Sequence, residues 1–149
     1  MGFIVIILII FIVDDKIKNY MENNKEMHEK ETILNGHIIL ERYHNKGAML
    51  NFLEKNTKVV KYISASLLGI LSIVFMFILP KQGKRLLKLA LALVIGGACS
   101  NVYDRITKGY VVDYFSFKFI KNIIFNISDI CIFVGSGLLA ILSFFSDNK

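Results

Sequence analysis

Tryptophan is absent from this 149-residue chain, proline occurs once and cysteine twice. Charge is missing altogether from four long stretches: Met1–Val13, Tyr62–Leu79, Leu89–Tyr103 and Ile130–Phe145. Four such runs cannot all be hidden in the core of a 17.0 kDa globule. Crossing a bilayer takes about 20 mostly apolar residues per helix. With 54% hydrophobic residues and a mean hydropathy of +0.54, a water-soluble enzyme is excluded, and so is a disordered chain. No CxxC pair occurs, and Cys99 and Cys131 lie within apolar runs, so they read as small packing residues rather than as a disulfide or metal site. HExxH and a Ser/His/Asp set are lacking as well. His28, His37 and His44 fall outside the apolar runs at irregular spacing and read as ordinary exposed or hairpin histidines, with no metal site expected.

The net charge of +6 does not point to nucleic acid, because no basic patch interleaved with aromatics lies on a polar face. Lys81, Lys84, Arg85 and Lys88 form a short acid-free cluster, which the positive-inside rule places in the cytoplasm. Arg105, Lys108, Lys118 and Lys121 are a looser competing cluster accompanied by Asp104 and Asp113.

The expected fold is an all-α polytopic membrane protein forming one membrane-embedded domain over residues 1–149. It has four transmembrane helices at about 2–20, 59–79, 86–103 and 121–145. The first run lacks a basic leader and is followed by Asp14-Asp15-Lys16, so it reads as a retained helix rather than a cleaved signal peptide. The single proline, Pro80, ends the second helix. Both termini are expected in the cytoplasm, with residues 21–57 and 104–120 outside. Asn35-Gly36 between apolar runs predicts a β-hairpin, hence a small extracytoplasmic sheet. Gly96-Gly97-Ala98 and Gly135-Ser136-Gly137 read as close helix-packing surfaces.

Ionisable residues at membrane depth are costly and mark function. They gather at one level: Asp14 near the outer end of the first helix, Asn101, Asp104 and Arg105 at the end of the third, Asp113 in the following loop, and Asn126 and Asp129 in the fourth. Counted from Lys121, Asp129 would lie about 12 Å into that helix. Asp104 and Arg105 could equally be a structural ion pair. Asp113 and Asp129 are two carboxylates in a poorly hydrated place, where like charges share a proton and supply one acid and one base. Such a dyad can hydrolyse a peptide bond.

These residues resemble, in order along nearly the whole chain, the motifs of the bacterial lipoprotein signal peptidases (signal peptidase II), which are membrane aspartyl proteases. The blocks are Asp14-Asp15-Lys16-Ile17-Lys18, Asn45-Lys46-Gly47-Ala48, Gly96 through Arg105, Gly109 through Asp113, and Phe125 through Asp129. The resemblance implies that Asp113 and Asp129 are catalytic. It implies that Asp14, Lys18, Asn45, Gly47, Asn101, Asp104, Arg105 and Asn126 shape the site, without metal or organic cofactor. It further implies a diacylglyceryl-modified prolipoprotein as substrate, cut before the lipidated Cys, at the outer face of the bacterial cytoplasmic membrane, and a β-cradle beside the helices. The chain is expected to act as a monomer, with membrane lipids and no nucleic acid as further partners. Ser100 and Ser128 stand where the family usually has Gly and Ala, and Ser128 is expected to donate a hydrogen bond to Asp129. The rival readings are a non-catalytic paralogue that binds lipidated peptides, and a small proton- or cation-coupled transporter.

Overall fold

The computed structural model describes residues 2–47, 54–120 and 123–146. The chain order is α1 (Gly2–Asn24), β1 (Lys30–Ile33), β2 (Ile38–Asn45), a one-turn 3-10 helix (Glu54–Asn56), α2 (Thr57–Ile78), α3 (Arg85–Thr107), β3 (Val111–Phe117) and α4 (Ile127–Ser146). Among the described residues, three helices, Glu54–Ile78 with its 3-10 lead-in, Arg85–Thr107 and Ile127–Phe145, are long and apolar enough to cross a membrane.

Helix α3 is central, packing on α1, α2 and α4. Its small residues set the approach. A Cβ at Gly96 would meet the Ile10 side chain on α1 at 3.0 Å, and one at Gly97 would collide with the Ser128 carbonyl on α4. The expected packing role therefore holds for Gly96 and Gly97. It also holds for Gly135, against the Ala90 carbonyl of α3, but not for Gly137, which faces open space. The core below the site is Phe75, Leu91, Ala92 and Ile95.

The hairpin forms around Asn35-Gly36, but with a four-residue loop. Ile33 pairs with Ile38, and Leu34, Asn35 and Gly36 all take positive φ. Strand β2 then pairs antiparallel with β3, giving the order β1-β2-β3 with an irregularity between Leu40 and Tyr43. One sheet thus joins the 21–57 and 104–120 segments, so both lie at the same end of the helices.

Two expectations need correction. Asp113 is in a strand, not a loop; the run Val111-Val112-Asp113-Tyr114-Phe115 is rich in residues that suit a pleated, half-buried surface. The fourth helix starts at Ile127, not at Lys121, which itself lies outside the described residues. Phe125 instead bridges to Phe115 of β3, with backbone bonds at 2.7 and 3.0 Å, so the chain stays extended until Asn126. Helices α1 and α3 run about four residues further than expected, to Asn24 and Thr107. Of the polar residues in these extensions, Glu22 meets His44 of β2 and Asp104 accepts the Val112 N–H of β3, whereas Asn24 and Thr107 bond to carbonyls one turn back in their own helices.

Candidate active site

Asn126 caps α4. Its Oδ1 accepts the Asp129 N–H at 2.8 Å, while Asp129 Oδ2 accepts the Asn126 N–H at 3.3 Å. This reciprocal capping box has Asn at the N-cap and Asp at the third helical position. It explains the three-residue spacing without an earlier helical turn, and puts Asp129 in the first turn rather than about 12 Å along the helix.

Asp113 is held from two sides. Asn45 of β2 donates to its Oδ2 at 3.0 Å and Asn126 to its Oδ1 at 2.7 Å. Asn101 of α3 donates to Asp129 Oδ1 at 2.8 Å, and its own Oδ1 accepts Asn126 Nδ2 at 3.1 Å. Two asparagine amides therefore link the carboxyls of Asp113 and Asp129. Asp113 is 1% exposed and Asn126 fully enclosed, whereas Asp129 is half-buried. Burial, and next the charge of Asp129, push Asp113 well above the usual carboxylate range.

Both carboxyls line a cavity of about 550 Å³ whose remaining wall is mostly apolar: Val111, Phe117, Ile130, Ile132 and Phe133 among others. Arg105 also faces this cavity and interacts electrostatically with both aspartates. Its guanidinium donates to the Gly47 carbonyl at 3.1 Å, and the Gly47 N–H bonds to Asn45 Oδ1 at 3.0 Å. Arg105 and Gly47 thus brace the end of β2 that presents Asn45. Ala48, the end of that block, lies outside the described residues.

Asp104 does not pair with Arg105. Its Oδ2 meets Lys18 at 3.1 Å and the Val112 N–H at 3.2 Å, and its Oδ1 meets Lys108 at 2.9 Å. Lys18 is fully enclosed and also binds Asp14 at 2.9 Å and Asn101 Oδ1 at 2.9 Å. Every residue expected at the site is thereby brought together at one end of α1, α3 and α4, with β2 and β3 supplying Asn45 and Asp113.

Ser128 departs from expectation. It donates to Asp14 Oδ2 at 2.6 Å, not to Asp129, because successive residues on a helix project about 100° apart. Three participants were missed in the sequence: Tyr114, whose hydroxyl donates to Asp14 Oδ1 at 2.8 Å, and the pair Glu22 and Lys108, bonded at 2.9 Å. The alternation around Asp113 was the available signal for Tyr114, since strand residues one apart face opposite ways. His44 is likewise not a free surface group. It stacks on Tyr110 at 3.8 Å and meets Glu22 at 3.2 Å. Among the described residues no group of three or more His, Cys, Asp and Glu is disposed to hold a metal ion.

The family model for signal peptidase II matches residues 6–145. Similar proteins include a lipoprotein signal peptidase of Actinobacillus succinogenes, 35% identical over 100% of this chain and 93% of that one. Another, from Lactobacillus gasseri, is 31% identical over 99% of this chain and 94% of its own. One from Acinetobacter baumannii is 40% identical over 71% of this chain, and the match spans 62% of that longer protein. A bacterial membrane enzyme solved by the in meso method at 2.3 Å superposes with a TM-score of 0.83 over 99% of this chain and 92% of its own, at 23% identity, which is a likeness of fold.

Proposed function

The chain belongs to the signal peptidase II family, and from that premise we propose that it removes signal peptides from diacylglyceryl-modified prolipoproteins by an aspartyl mechanism. The observation that carries the proposal is the pair Asp113 and Asp129, joined through Asn101 and Asn126 on the wall of an otherwise apolar cavity. Asp113, with its raised affinity for protons, holds the shared proton and gives it to the scissile carbonyl oxygen. Asp129 takes a proton from the attacking water, whose oxygen bonds to the carbonyl carbon. Collapse of the tetrahedral intermediate breaks the C–N bond; Asp129 protonates the leaving amine and Asp113 recovers its proton. The apolar wall along α4 suits acyl chains and an apolar signal peptide.

Helix α1 is the fourth span. Its ionisable residues weaken its apolar signal, but Asp14 and Lys18 are enclosed and paired with each other. Ile4, Val5, Leu8, Ile9, Ile12 and Val13 are exposed for lipid. With Lys81, Lys84, Arg85 and Lys88 in the cytoplasm, both termini are inside and the site lies near the outer face. The protein acts as a monomer.

Incubating the purified protein with diacylglyceryl-modified prolipoprotein should release the signal peptide, and unmodified prolipoprotein should be cut poorly. No release from the lipidated substrate sinks the proposal. In intact cells, a membrane-impermeant thiol reagent should label a cysteine introduced at Asn35 but not one at Gln82. The reverse pattern would put the site on the wrong side of the membrane.

A further inference from the structure

Asp14 sits beneath the two aspartates and takes part in no step of the proposed reaction, yet it gathers more donors than a carboxylate has lone-pair positions. Its Oδ2 accepts Ser128 Oγ at 2.6 Å, Ser100 Oγ at 2.7 Å and Lys18 Nζ at 2.9 Å. Its Oδ1 accepts the Tyr114 hydroxyl at 2.8 Å and the backbone N–H of Ile127 at 3.1 Å. A carboxylate offers about four acceptor positions, so all are occupied. Asp14, Lys18, Ser100, Tyr114 and Ser128 are each no more than 4% exposed. Ile127 is the first residue of α4, where the helix leaves its N–H groups without intrahelical partners. Asp129 follows two residues later.

We propose that Ser100 and Ser128 are positioning residues: their hydroxyls fix the Asp14 carboxylate, which clamps the first turn of α4 and so holds Asp129 in its working orientation. Ser100 anchors the carboxylate to α3 and Ser128 anchors it to α4 itself, so Asp14 ties three helices together at one pair of oxygens. Gly97 makes it possible, because only a residue without a Cβ lets α3 approach the Ser128 carbonyl so closely. The inference rests on the reading of Asp129 as a catalytic group.

The test is a Ser100→Ala/Ser128→Ala double variant in detergent, followed by two measurements. Amide hydrogen exchange over residues 123–130 reports whether the turn is clamped, and steady-state cleavage of lipidated prolipoprotein separates kcat from KM. Exchange should be faster, and kcat should fall by about tenfold, the scale of a sub-ångström misplacement of a reacting group. KM should stay unchanged, because neither serine lines the cavity. Should the double variant fail to fold, Ser128→Ala alone is measured in the same way. Unchanged exchange overturns the clamp. Faster exchange with unchanged kcat overturns the positioning role, as does a change confined to KM. If the wild-type protein cleaves nothing, the peptidase reading falls instead, and exchange still decides whether the serines hold α4.

Discussion

Helices α2 and α3 are both long and apolar enough to cross a membrane, yet 11% of the spanning window is buried in the first and 61% in the second. Helix α2 buries only Val60 and Phe75 and turns Ile63, Leu67, Ile70, Ile73 and Phe77 outward. Its Ser64 bonds to the Val60 carbonyl one turn back at 2.7 Å and asks nothing of its neighbours. Helix α3 carries Ser100, Asn101 and Asp104, all enclosed, and each finds its partner on α1, β3 or α4. Polar groups at membrane depth are tolerated where protein surrounds them and satisfies them. In this molecule that is one end of the central helix, and the polar groups collect there.

The largest effects should come from the site that α3 supports. Asp113→Asn and Asp129→Asn should each lower cleavage by about 10³-fold or more, roughly 4 kcal/mol of barrier, since an amide cannot shuttle the proton. Near wild-type rates in either variant would end the aspartyl mechanism. Lys18→Met comes next. It leaves Asp14 and Asp104 enclosed without their shared cation, and breaking a buried pair costs about 3–5 kcal/mol. Thermal melts in detergent should show this loss, whereas Lys58→Met, on the exposed start of α2, should leave the melting temperature where it was. A third contrast sets glycine against glycine. Gly97→Val forces α3 from the Ser128 carbonyl and should cost about 1–3 kcal/mol along with activity. Gly69→Ala, on an open face of α2, should be neutral or stabilising by up to about 1 kcal/mol.

The smallest effect is a slope. Burial and then Asp129 raise the pKa of Asp113, so the folded state binds more protons there than the unfolded state does. Stability therefore falls as pH rises from the ordinary carboxylate value of 3.8 through the raised one. Melting temperature measured against pH should decline across that window in the wild type, and Asp113→Asn should flatten the decline.

Much of this was legible from the sequence because membrane insertion is read from composition and local spacing. The apolar runs marked the spans of α2, α3 and α4, Asn35-Gly36 marked the hairpin, and the isolated polar residues marked the level of the site. The misreadings share a cause. The start of α4 was placed too early because Ile123-Ile124-Phe125 is as apolar as a helix, and only its pairing with β3 keeps it extended. Asp113 was taken for a loop residue because β2, its strand partner, lies nearly seventy positions earlier in the chain. Ser128 was assigned to its neighbour in sequence, whereas its partner is Asp14, 114 residues away.

What the sequence by itself determined is which residues had to be accounted for. Charges and amides next to hydrocarbon cost too much to be incidental, and their order along the chain was enough to mark a family resemblance. What only the tertiary structure decided is who satisfies whom. Asp104 took Lys18 and Lys108 rather than the adjacent Arg105, Asn101 and Asn126 came to link the two aspartates, and two serines met on one carboxylate. A hydrogen bond requires an approach within about 3 Å and a direction, and between distant residues both are set by how closely the helices pack. That spacing depends on glycines such as Gly97, whose contribution appears only when the other helix is in place.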